Sequence, residues 1–166
     1  MRALRGAALA VLLVLAAVVQ LAVPALTSTG YGTPYPVPAL VFGAAAIGGP
    51  RVGAWTGLGA GAVLDLAPPA DHPLGQWAFV LGACGALLGA LMRIAQHWIW
   101  YVVGAAVSAV LAQLLFTGVG LALGDGHARP DETLRALPAV AAWTAGCLMV
   151  ALPAMRRLIR TDASPA

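Results

Sequence analysis

Residues 98–123 read WIWYVVGAAVSAVLAQLLFTGVGLAL, twenty-six positions without a charged side chain. A helix of that length rises roughly 39 Å at about 1.5 Å per residue, more than the roughly 30 Å of a bilayer's hydrocarbon core. The rest of the chain follows the same rule. Apolar residues make up 61% of it and charged residues 9%, against about 45–50% and about 25% in an ordinary soluble domain. The charges fall in short clusters that separate apolar runs, and the longest polar stretch is 124–136. This is the pattern of an all-α, multi-pass membrane protein with no soluble module, and it removes most catalytic hypotheses.

The apolar runs predict a single integral membrane domain over 1–166, with six transmembrane helices at 7–26, 37–49, 51–66, 75–92, 98–123 and 136–155. The second and third are short for a span, which needs about 17–25 residues. Two full crossings, a re-entrant hairpin and one broken helix are therefore all open for 37–66. Arginine placement bears on the choice. With six crossings and both termini in the cytoplasm, Arg2, Arg5, Arg51, Arg93, Arg156, Arg157 and Arg160 lie inside, and only Arg129 and Arg135 lie outside. That is the bias positive charge shows in membrane proteins. Merging 37–66 into one crossing leaves four arginines on each side and no bias, whereas a hairpin that fails to cross keeps the parity. The first segment is read as an intact helix, because its apolar run exceeds the h-region of about 7–15 residues found in a cleaved signal peptide.

Composition excludes more than it assigns. Cys84 and Cys147 lie in separate apolar segments with no CxxC pair or neighbouring histidine, so no metal site, cofactor or disulfide framework is indicated. A pI near 9.4 does not argue for nucleic acid, since topology accounts for the arginines. His97, Trp98, Trp100 and Tyr101 read as an interfacial aromatic belt. The tail 156–166, basic and then polar, is expected to meet anionic lipid by default, with a cytoplasmic filament protein as the alternative.

Helices in lipid gain no hydrophobic energy by meeting, so small residues that let backbones approach supply the contact. Gly53, Gly57 and Gly61 recur at strict four-residue spacing on one face of the third segment, with Gly59 alongside. Gly82, Gly85 and Gly89 mark the fourth segment, and Gly104 with Ser108 the fifth. This face can pack within the chain or grip a partner. Asp65 continues the glycine series one turn further on. A carboxylate at the middle of a membrane helix costs about 2.5–3.5 kcal/mol, less toward the interface. Asp65 therefore reads either as a hydrogen-bonded latch on the turn 66–74, as a polar contact to a partner helix, or as an interfacial residue solvated by the loop.

The stretch Gly57-Leu58-Gly59-Ala60-Gly61-Ala62-Val63-Leu64-Asp65-Leu66, a short proline-bearing loop and Pro73-Leu74-Gly75 together resemble the signature of the MreD family. Its members are small membrane proteins of the bacterial rod-shape machinery. The motif resemblance covers about 48–93. The loop 67–73, with three prolines and Asp71-His72, departs from it, and 98–166 matches only in hydropathy. The resemblance implies a fold like the substrate-binding subunit of energy-coupling-factor transporters. It also implies a non-enzymatic role in the bacterial cytoplasmic membrane, organising peptidoglycan synthesis and cell shape. The implied partners are an MreC-like protein, a penicillin-binding transpeptidase and a membrane glycosyltransferase, besides lipid. Gly57, Gly61, Asp65 and Gly75 are the positions carried over, as structural and contact residues. Gly53, Gly85 and Gly89 join them as candidate packing positions on spacing alone.

Two other classes compete. A vitamin-binding transporter subunit is the alternative, needing an outward polar pocket. The outer loops offer Asp71, His72, Asp125, His127, Arg129, Asp131, Glu132 and Arg135, which otherwise read as solvated charge. Ala122-Leu123-Gly124-Asp125 resembles the GxGD motif of intramembrane aspartyl proteases without its first glycine. Both Asp125 and Asp65 fall at helix ends, however, and no HExxH or GxSxG is present.

Overall fold

The computed structural model describes residues 11, 13, 15, 16, 18–20, 36–67, 73–94, 97–125 and 129–159, with backbone alone at 158 and 159. Among the described residues all regular structure is helical, and there is no strand. The described positions between 11 and 20 are helical. Five helices follow: α1 (Pro36–Gly48), α2 (Pro50–Leu66), α3 (Gln76–Leu91), α4 (Trp98–Ala122) and α5 (Pro130–Ile159), with a 3-10 turn at Met92–Ile94 after α3. Three stretches are long and apolar enough to cross a membrane, Gln76–Ile94, Trp98–Ala122 and Pro130–Arg157. The chain has the make-up of a helical membrane protein.

Against six expected spans, α1 and α2 fall short of that standard. The thirteen residues of α1 reach only about 20 Å at 1.5 Å per residue. Nor do α1 and α2 form one broken helix. Gly49, at φ +84°, stops α1 after a last bond from its N–H to the Ala45 carbonyl, and Pro50 starts α2. A Cβ on Gly53 would meet Cβ of Ala45. Those residues lie four positions either side of Gly49, so the chain doubles back there.

α1 is the hub, touching each of the other four helices. Val37 to Ala46 are all buried, and a helix apolar on every side belongs in an interior. Its first turn is satisfied by unusual means. Pro36 and Pro38 have no N–H to place, and the Val37 N–H between them donates to Oε1 of Gln20 at 3.2 Å. Gln20, which interrupts the first apolar segment, thereby ties that segment to the hub, and Ala16 lies in the same core.

Contacts along the helices show them alternating in direction. Gly61 lies against Ala78 and Gly53 against Gly85; Phe116 lies against Trp77 and Gly104 against Leu88. Thr117 bonds Thr133, and Arg156 covers Tyr101. One end of the bundle therefore holds the Gly48–Arg51 corner, Arg93, Trp98 and Arg156. The other holds Asp65, the start of α3, Asp125 and the start of α5. The last helix begins earlier than the apolar run suggested: Pro130, Asp131 and Glu132 are its first turn rather than a loop. Proline suits the first helical position, and acids there face the positive end of the helix dipole. The outer surface is apolar, with Phe79, Leu87, Val107, Leu115, Met149 and Val150 exposed, as lipid-facing residues are.

Candidate functional site

Asp65 sits in the last turn of α2 and is 2% exposed. Its Oδ1 accepts the backbone N–H of Trp77 and its Oδ2 that of Ala78, both at 3.0 Å. These donors belong to the first turn of α3, where a helix has no internal acceptors to offer. Gln76 N–H donates to the Pro73 carbonyl at 3.3 Å and Phe79 N–H to that of Gly75 at 2.9 Å, so the amides of residues 76–79 all have partners. The residue before α3 is Gly75, at φ +89° and ψ −4°, a left-handed conformation only glycine adopts freely. It has no side chain with which to cap, and Asp65 supplies the cap from the preceding helix. A carboxylate is suited to this place because it offers two acceptor atoms and complements the dipole.

Below the clamp, α2 and α3 touch backbone to backbone. A Cβ on Gly61 would overlap Ala78, one on Gly57 the Leu81 carbonyl, and one on Gly53 the Gly85 carbonyl. From the opposite side, a Cβ on Gly85 would overlap the Gly53 carbonyl, and one on Gly89 would overlap Gly49 and Pro50. Backbone atoms cannot swing aside as a side chain can, so both helices need glycine at these positions. The period-four series thus faces its own neighbour. Gly59 points elsewhere, and a Cβ there would meet nothing within 4 Å among the described residues.

The clamp continues across the bundle. Gln76 is buried, and its Nε2 donates to the Phe116 carbonyl of α4 at 2.6 Å, while its Oε1 has no partner among the described residues. The Trp77 ring stacks on Phe116, centroids 4.2 Å apart. At the next residue of α4, the Thr117 and Thr133 hydroxyls bond at 2.8 Å, joining α4 to α5. The sequence noted Gln20 as a break in the first apolar run and Thr133 at the approach to the last helix, but gave no hydrogen-bonding role to Gln20, Gln76, Thr117 or Thr133. The signal was available: each is a hydrogen-bonding residue inside or beside an apolar run, where something must satisfy it.

The remaining candidates are dispersed. Arg51, Arg93, Arg156 and Arg157 lie at the end opposite the clamp, while Arg2, Arg5 and Arg160 fall outside the described residues. Arg129 and Glu132 pair at 2.7 Å on the exposed surface of the clamp end, and the carboxylate there holds the Arg129 guanidinium above its ordinary range. Asp71, His72 and His127 also lie outside the described residues. Among the described residues no group of three His, Cys, Asp or Glu side chains is placed to hold a metal ion. What the clamp can do chemically is hold two helix ends together. No protein-family model, curated protein or solved structure matches the chain.

Proposed function

We propose that this chain is an MreD-like component of the bacterial cell-elongation machinery, crossing the cytoplasmic membrane six times with both termini inside. In this reading it organises peptidoglycan synthesis without catalysing a reaction, through helix contacts with an MreC-like protein and wall-synthesis enzymes. One observation carries the reading. Gly57, Gly61, Asp65 and Gly75, the residues that prompted the resemblance, meet in a single structural unit: two act as a packing seam, one as the cap and one as the left-handed turn. A motif whose parts cooperate physically is less easily a coincidence of glycine-rich composition.

The geometry also changes how partners would be held. The Gly53–Gly57–Gly61 face is filled by α3, so a partner's transmembrane helix would meet the outward, lipid-facing surfaces instead. The glycine seam then serves the partner indirectly by keeping α2 and α3 in register.

The test is affinity purification of the tagged protein from its native membrane. Recovery of an MreC-like protein with a penicillin-binding transpeptidase is the expected result. Recovery of a pair of ATPases and a transport scaffold would replace this reading with that of a vitamin-binding transporter subunit.

A further inference from the structure

At the end opposite the clamp, the doubling-back of the chain leaves a cavity of about 590 Å³, lined by Gly48, Gly49, Arg51, Gly89, Arg93 and Tyr101 among others. Three features set its chemistry. Arg51 and Arg93 approach it from different helices, both exposed and neither with a hydrogen-bond or acidic partner among the described residues. Helix α2 starts at its wall without a side-chain cap, so the positive end of a seventeen-residue helix adds to the arginine charge. Arg156, outside the lining itself, lies over the ring of the lining residue Tyr101, 5.5 Å from its centroid, and its buried Nε has no hydrogen-bond partner among the described residues. The described carboxylates Asp65, Asp125, Asp131 and Glu132 all belong to the far end of the bundle. Nothing negative among the described residues offsets this concentration of positive charge.

We propose that the cavity binds the phosphate group of an anionic molecule, with Arg51 and Arg93 as its charged ligands and the start of α2 as a third contact. Guanidinium groups donate in a planar fork that matches two phosphate oxygens, and a helix start is an anion site in its own right. The exposed Trp98, Ile99 and Trp100 at the same end set the cavity at the depth of lipid headgroups, where indole rings collect. An anionic phospholipid can supply the phosphate, and so can a soluble phosphate compound. The inference rests on the membrane character of the chain and not on the cell-elongation reading; loss of an MreC-like partner leaves it untouched.

The test uses the full chain, purified in neutral detergent and stripped of lipid, with thermal unfolding followed during titration. The probes are phosphatidylglycerol, phosphatidylcholine and inorganic phosphate. Phosphatidylglycerol should raise Tm by several degrees and phosphatidylcholine should not. The double variant R51Q/R93Q should weaken the phosphatidylglycerol midpoint at least tenfold, while R129Q/R135Q at the opposite end should respond as the parent does. An equal rise with millimolar inorganic phosphate identifies a soluble source; a rise with phosphatidylglycerol alone identifies a headgroup. Equal response to the two lipids, or a double variant that titrates like the parent, overturns the proposal. Native mass spectrometry of the single variants Arg51→Gln and Arg93→Gln gives a second readout should the double variant fold poorly. Each should retain fewer phosphatidylglycerol molecules than the parent, and undiminished retention in both also overturns it.

Discussion

Asp65 shows how an unfavourable residue becomes a fixed point. Its carboxyl group is buried in an apolar bundle, where it would cost several kcal/mol without partners, and two amides that would otherwise be orphans meet it. Removing it exposes both sides of that exchange. Losing a helix cap costs about 0.5–2 kcal/mol, and a hydrogen bond to a charged group is worth about 1.5–3 kcal/mol. Asp65→Ala should therefore destabilise the protein by about 2–3 kcal/mol, read as a lower Tm and lower membrane yield. Asp65→Asn keeps one good acceptor and should lose about half as much. Gln20→Leu removes the side-chain acceptor of the Val37 N–H and should cost about 1 kcal/mol in the same assay. Asp65 was conspicuous in the sequence as a carboxylate closing a glycine series. A hydrogen-bonded latch on the turn 66–74 was one of its readings; the identity of the donors was not legible, because they lie twelve and thirteen positions away and meet it only after the chain turns.

At the scale of elements, the α2–α3 hairpin behaves as one body. Gly57→Leu and Gly61→Leu each drive a side chain into backbone, beyond the about 1–3 kcal/mol of ordinary overpacking. Both should abolish folded protein rather than selectively release a partner. Gly59→Leu, one helix face away, meets open space and should leave Tm and yield within about 0.5 kcal/mol of the parent, the range of surface changes. Equal damage from all three would refute the seam. Period-four glycines announced a close-packed face, but a single sequence does not say which helix fills it; that took Gly82, Gly85 and Gly89 aligned from the other side. The extent of α1 was similarly half-legible. Pro36 and Pro50 bracket it, yet its role as the hub depends on burial on every side, which an evenly apolar run does not reveal.

For the whole molecule, charge is sorted by end. Arg51, Arg93, Arg156 and Arg157 gather at one end, and all the described carboxylates belong to the other. If the bundle spans the membrane as proposed, the arginine end faces the cytoplasm. Cysteines introduced at Arg93 and at Arg129, in a background lacking Cys84 and Cys147, should then differ in intact spheroplasts. Arg129→Cys should react with a membrane-impermeant maleimide and Arg93→Cys only after lysis. The reverse pattern, or labelling of both, would reject the orientation. The helical class and the longest spans were readable from apolar run lengths alone, because lipid admits few other ways to satisfy a backbone.

The cap on α3 also bears on how the protein is made. Helix α2 carries an arginine at one end, an aspartate at the other and glycine through its middle, so alone it partitions poorly from the translocon into lipid. Two of the donors its carboxyl group accepts, the amides of Trp77 and Ala78, belong to the next segment to be synthesised. The two segments should consequently leave the insertion channel together as a preassembled pair, and a nascent chain long enough to release α2 but not α3 should still crosslink to the channel through α2.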